Sequence, residues 1–363
     1  MKKNKGKRNL LAITLAATIL ATPMALSLPA EHSAAATASS QLKVTPTPFS
    51  IEGNRTSIST INKNNTTYIA LRSLSNSLGL STKYEKATQM VKIEGRGRVL
   101  EISLRNNAIT LNGQLIFGAA PISQNNTTYL PLRFLLERMG YDVSYEQATK
   151  LIGIHAIQEN KLKMQSEVIG ADGDGKSLLV YYPVISGYEN AAVQQKINAF
   201  LKAEADRNVA AGSKQMQQAV EGNKKMLADD PKAAVRQPSF DGRYTVTYNE
   251  KDRLSLYVDY DLYMGGAHGI TARVPYTFDL ATGKVLSLKE VADNAQYVSI
   301  INSKIKAQIK SRKVSLINPF QTIEADRDYF LNHTGVAIYF TQYEYTSFAD
   351  GMPEFVIPYR DFR

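Results

Sequence analysis

Cysteine is absent from the 363 residues, which excludes disulfides, a thiol nucleophile, cysteine-held metal and the lipidated cysteine of a lipobox. Histidine is scarce, with His155, His268 and His333 the imidazoles beyond the N-terminal stretch. No Gly-x-Ser-x-Gly elbow occurs to present a serine nucleophile. A long basic run and a nucleic-acid reading motif are both missing, so nucleic acid is not expected as a partner. Asp172-Gly173-Asp174-Gly175 fails as a calcium loop, because an EF-hand needs an oxygen ligand at Lys176, glycine at Ser177 and a bidentate glutamate at Pro183. The spacing predicts a tight turn before a strand over Leu178–Ile185. No cofactor and no metal are expected.

The N-terminus is basic at Lys2, Lys3, Lys5, Lys7 and Arg8, apolar from Leu10 to Leu28, and then rich in alanine. That order reads as a secretory signal peptide over residues 1–36. Its five basic residues and one acidic residue account for +4 of the formal +10, leaving +6. An uncleaved anchor is the competing reading. With the leader cleaved, no later segment is apolar enough to span a bilayer, and the mature chain is expected outside the cytoplasmic membrane, secreted or wall-associated. A basic exported protein is attracted to anionic wall polymers.

The length suits two or three domains. Asn64-Asn65-Thr66-Thr67-Tyr68-Ile69-Ala70-Leu71-Arg72 recurs as Asn125-Asn126-Thr127-Thr128-Tyr129-Leu130-Pro131-Leu132-Arg133, an offset of 61. The register holds through Gly79 and Gly140, Tyr84-Glu85 and Tyr145-Glu146, and Ile93 and Ile154. An ungapped match this long marks a duplication. Leu132, Leu135, Leu136 and Met139 follow the spacing of one helix face, Pro131 suits a helix start, and Gly79 and Gly140 suit helix ends. Asn112-Gly113 predicts a hairpin turn. Arg72 and Arg133 open the two helices, as binding groups or as partners of nearby acceptors. These residues resemble the copper amine oxidase N-terminal, or stalk, domain over residues 44–157. The resemblance implies a small strand-and-helix spacer or attachment module, without copper.

Polar residues 158–165 are expected to link this half to the next. A helix is predicted from Asn190 to about Val209, with Val193, Ile197, Phe200 and Leu201 on its apolar stripe. Residues 215–237 read as an irregular excursion. Strands are expected over Phe240–Tyr248 and Arg253–Leu262, a helix over Gln296–Lys310, and final strands over Gly335–Tyr345 and Glu354–Tyr359. The sum is an α+β arrangement, an antiparallel sheet with two helices available to cover it.

Between two of these strands, Tyr263-Met-Gly-Gly-Ala-His-Gly269 forms a glycine-rich corner. Three glycines in five residues permit positive φ and close backbone approach. His268 either holds the bend by bonding backbone groups or contacts a ligand. Asp259 and Asp261 share one strand face, a weak pattern for glycan hydrolysis. Tyr345, Phe348 and Met352 could form an exposed hot spot for a protein partner. The corner, Phe278-Asp279-Leu280 with Thr282-Gly283-Lys284, and Tyr343-Glu344 before Gly351 resemble the extracellular domain of the lysozyme-sensing anti-sigma factor of Gram-positive bacteria. The same domain accompanies some peptidoglycan deacetylases. The resemblance covers residues 165–363 and implies protein binding, with lysozyme as the family's partner. The sequence therefore predicts a non-enzymatic envelope protein that binds lysozyme or another extracellular protein through Tyr263, His268, Tyr345, Phe348 and Met352. A peptidoglycan or wall-glycan accessory is the alternative, and a wall hydrolase a weaker one.

Overall fold

The computed structural model describes residues 41–363, so the predicted leader lies outside the described residues. Residues 43–363 form one compact unit. Its first part contains β1 (Val44–Ile51), β2 (Asn54–Lys63), β3 (Thr66–Ala70), α1 (Arg72–Leu78), β4 (Ser81–Glu85), β5 (Met90–Gly95), β6 (Arg98–Ser103), β7 (Ile109–Leu111) and β8 (Gln114–Ile116). There follow β9 (Ile122–Gln124), β10 (Thr127–Pro131), α2 (Leu132–Arg138), β11 (Tyr141–Glu146) and β12 (Leu151–Ala156). A seven-stranded sheet, β11-β12-β1-β2-β3-β10-β9, faces a five-stranded one, β4-β5-β6-β7-β8, across a shared apolar core.

The duplication is visible in the pairing. β3 and β10 run antiparallel with Ile69 opposite Leu130, its own equivalent, so the two copies meet about a local pseudo-twofold axis. Both side chains are fully buried, each burial contributing roughly 2 kcal/mol. The repeated Asn-Asn pairs take positive φ, 50° and 60° in the first copy and 51° and 57° in the second. Those are the angles a two-residue hairpin turn demands, and asparagine tolerates them better than most residues. Asn112-Gly113 turns the same way, at φ 50° and 84°. Leu132, Leu135, Leu136 and Met139 are buried as their spacing predicts.

The second part contains β13 (Lys163–Gly173), β14 (Lys176–Ser186), α3 (Ala191–Asp229), β15 (Ser239–Glu250), β16 (Arg253–Tyr263), β17 (Ile270–Asp279) and β18 (Lys284–Val285). It continues with α4 (Leu288–Ala292), α5 (Tyr297–Arg312), β19 (Tyr329–Asn332), β20 (Gly335–Tyr339) and β21 (Glu354–Pro358). Strands β13 to β18 form one sheet in chain order, with β14 and β15 parallel because α3 carries the chain back between them. Strands β19 to β21 form a second, smaller sheet. Helix α3 packs on the larger sheet, while α4 and α5 close a separate core with the smaller one.

Three details depart from the sequence reading. Helix α3 does not stop near Val209 but runs 39 residues, through most of the stretch expected to be irregular. Met216 and Val220 continue its buried stripe, and the lysines, glutamines and alanines around them are strong helix formers. Gly212 lets the helix approach Phe240, whose ring would lie 2.5 Å from an added Cβ. Residues 163–165 belong to β13 rather than to a linker. The strand expected to reach Tyr345 ends at Tyr339. Among the described residues, no helix is long and apolar enough to cross a membrane.

The two parts are pinned together by amides. Gln114 on β8 donates to Tyr244 O (2.9 Å) and accepts from Tyr244 N (2.8 Å). Pairing of β15 with β14 ends at Gly242, so Gln114 satisfies backbone groups that β14 no longer reaches. In the connection, Asn160 donates to Asn249 Oδ1 and Arg253 O and accepts from Asp252 N, each at 3.0 Å.

Candidate functional site

The glycine corner is positioned by the end of α3. Asn223 donates to Arg236 O (2.8 Å), and Arg236 Nη1 donates to Gly266 O (2.9 Å). Tyr263 OH also donates to Gly266 O, at 3.0 Å. Gly265 has φ 86°, and a Cβ at Gly269 would stand 2.9 Å from Leu262 O. Both glycines are thus required by backbone geometry. His268 Nδ1 lies 2.9 Å from Gly269 O, an acceptor only, so Nδ1 carries the proton. That leaves Nε2 to accept from Tyr343 OH at 3.3 Å.

The facing loop, residues 340–351, owes its shape to Glu344. Its carboxylate accepts from Thr341 N (2.8 Å) and from both terminal nitrogens of Arg327 (2.5 and 2.7 Å). Arg327 also donates to Tyr339 O at 2.5 Å. Gln342 Oε1 accepts from Thr271 N (2.8 Å), tying the loop to β17. A single 3₁₀ turn, Phe348–Asp350, is closed by a Ser347–Asp350 capping box. The result is a stack of three rings. His268 and Phe348 centroids are 4.0 Å apart at 26°, and Tyr343 lies 5.8 Å from Phe348. Tyr343 is 48% exposed and held at φ 65°, a conformation that costs a bulky residue about 1 kcal/mol.

Of the residues predicted for binding, His268 and Phe348 come together and Tyr263 braces the corner behind them. Tyr345 points elsewhere, packing 5.4 Å from Phe320 and 4.5 Å from Phe340 in the smaller core. Met352 is half-buried beyond the 3₁₀ turn. Tyr343 and Arg236 were missed. The alternation of Thr341, Tyr343 and Tyr345 imitates a strand, but Thr341-x-x-Glu344 is also a capping-box pattern; read so, it ends the strand before Thr341.

The other charged candidates are engaged structurally. Asp259 binds Arg273 through two bonds of 2.8 and 2.9 Å, and Asp261 accepts from Thr271 Oγ1 at 2.5 Å. Arg133 pairs with Glu137 at 2.8 Å. Asn332 Oδ1 caps the turn holding His333, whose Nδ1 lies 2.8 Å from Glu250. Among the described residues, no group of three or more His, Cys, Asp or Glu could hold a metal ion.

Burial pushes the Glu344 carboxyl up, but the hydrogen bonds and charge of Arg327, with the Thr341 donors, outweigh it and leave it below its usual 4.5. A depressed carboxylate stabilises the fold above its unfolded value, and that contribution disappears as pH falls through the folded value. The loop should therefore hold at neutral pH and loosen below pH 4.5. The carboxyl carbon shift of Glu344 should titrate below 4.5 in the native protein and move upward in Arg327→Gln; a titration unchanged by that substitution would refute the latch.

Family models match three stretches: copper amine oxidase N-terminal domain at residues 50–154, Deacetylase PdaC at 174–271, and DUF3298, a family of unknown function, at 291–360. No curated protein matches. Among solved structures, a DUF3298 family member from Bacteroides fragilis is 16% identical, with 56% of this chain and 93% of that one covered and a TM-score of 0.43. A DUF3298 family protein from Pseudomonas aeruginosa is 17% identical, with 55% and 91% covered and a TM-score of 0.36. The glycine corner falls in the PdaC stretch and the Tyr343–Phe348 loop in the DUF3298 stretch, so the ring stack sits where the two meet. The chain thus joins a duplicated module similar to the copper amine oxidase N-terminal domain to a second module similar in its two halves to PdaC and DUF3298.

Proposed function

We propose that this is a secreted, non-enzymatic binding protein of the bacterial cell envelope, which captures lysozyme or another extracellular protein through the His268–Tyr343–Phe348 surface. The observation that carries the reading is the ring stack itself. An exposed tyrosine is held at a costly backbone angle, beside a histidine and a phenylalanine, on loops braced by Arg236 and Arg327. Preorganised aromatic anchors on a rigid frame are what protein interfaces concentrate their binding energy on. The likeness to PdaC and DUF3298 domains supports an envelope setting, and the choice of lysozyme rests on the sequence resemblance of the glycine corner and the Tyr343-Glu344 stretch to the lysozyme-sensing domain.

Calorimetric titration of lysozyme into the purified protein tests this. A stoichiometric complex is expected, weakened about 30-fold by Phe348→Ala or Tyr343→Ala, the effect of losing one hot-spot residue. Absence of heat at high micromolar concentrations would remove lysozyme as the partner. The same rings could stack on sugar, which favours a wall-glycan accessory as the second reading. Sedimentation with purified peptidoglycan, lost in the same variants, would select it. Release of soluble products from that peptidoglycan would instead reveal a hydrolase.

A further inference from the structure

The net charge is divided unevenly between the two modules. Residues 41–157 carry 13 Lys and Arg against 7 Asp and Glu, whereas residues 158–363 carry 25 of each. The whole positive excess of the described chain therefore belongs to the duplicated module, although the ring stack lies in the other. Such a field attracts polyanions.

The duplication adds a second observation. Most positions shared by the copies have an evident structural role: the Asn-Asn pairs make turns, Tyr68 and Tyr129 are buried, and Gly79 and Gly140 take positive φ after the helices. Tyr84 and Tyr145 do not share that economy. They are 51% and 56% exposed, and neither ring has an aromatic or hydrogen-bond partner among the described residues. Each stands opposite a buried residue of its hairpin, Val91 or Ile152, so each overhangs the rim of the core on an equivalent strand, β4 or β11. An exposed lysine lies in each hairpin turn, Lys86 in the first and Lys150 in the second. Glu85 and Glu146 follow the tyrosines as the next residues of the same strands and so face the opposite side of the sheet; Glu146 accepts from Thr149 Oγ1 at 2.5 Å.

We propose that the duplicated module is an attachment site for an acidic polysaccharide, with Tyr84 and Tyr145 as two equivalent platforms for sugar rings and the neighbouring lysines as partners of its anionic groups. The flat apolar face of a pyranose stacks on an exposed tyrosine, whose hydroxyl exchanges hydrogen bonds with sugar hydroxyls. β4 and β11 are the edge strands of the module's two sheets, and a polymer long enough to reach from one to the other would occupy both copies at once. Two weak contacts on one rigid module then combine into a strong one. This attachment is independent of the ring stack on the second module, and its test leaves that site untouched.

The experiment measures binding of the purified protein to soluble polygalacturonate, with neutral dextran and ringless polyphosphate as comparisons, for the native chain, Tyr84→Ala, Tyr145→Ala and the double variant. Both positions are exposed, so unchanged melting temperatures are expected. Polygalacturonate should bind best, each single variant should lose about tenfold or more, and the double should fall to the polyphosphate level. Phe348→Ala should bind polygalacturonate as the native protein does. Equal binding of polyphosphate and polygalacturonate, unaffected by the tyrosine variants, would reduce the module to a nonspecific cation and overturn the proposal. Preference for dextran would also overturn it, since charge would then play no part.

Discussion

Gln114→Leu is expected to cost about 3 kcal/mol and to separate the unfolding of the two modules. Gln114 is 1% exposed, and its amide serves Tyr244 N and O where β15 has lost its neighbour strand. Leucine fills similar space but leaves a buried N–H and C=O unpaired, at roughly 1–3 kcal/mol each. The main melting transition should fall by roughly 5–10 °C, and calorimetry should resolve two peaks where one is expected of the native protein. A single transition at the native temperature would show that Asn112, which donates to Met164 O, and Asn160 suffice to hold the junction.

Arg327→Met should have an effect of the same size, concentrated at the binding loop. Arg327 is 12% exposed and Glu344 22%. Removing the cation strands a carboxylate that burial already disfavours, and breaking such a pair costs roughly 3–5 kcal/mol where both groups are buried, somewhat less with this exposure. Thr341 and Tyr343 then lose the turn that places them. Partner binding should disappear along with part of the stability. Adding Glu344→Gln to Arg327→Met separates the two effects, because neither a buried cation nor a buried carboxylate is then left without a counterion. The double variant should keep most of the stability while loosening the loop enough to weaken binding. Wild-type affinity in both variants would show that the loop does not depend on the latch.

Local rules carried much of this architecture from the sequence. The 61-residue offset, the Asn112-Gly113 turn and the burial of Leu132, Leu135, Leu136 and Met139 follow from periodicity and turn chemistry alone. What escaped depends on distant partners. The end of α3 looks polar and aperiodic, and its helical state is anchored by Met216 and Val220 against a core assembled from other elements. Nothing in Asn-Gly-Gln-Leu announces that Gln114 will meet a backbone 130 residues away. Two of the ring stack's members were legible, His268 from its glycine corner and Phe348 from its loop. Tyr343 was hidden because strand-like alternation and a capping-box pattern overlap at the same residues, and the Arg327–Glu344 pair decides between them.

Amide hydrogen exchange of the protein with and without saturating lysozyme most directly tests the proposal that the ring stack is the partner surface. Protection confined to residues 263–269 and 341–351 is the expected result. Protection elsewhere on the chain, with those two segments unchanged, would contradict it.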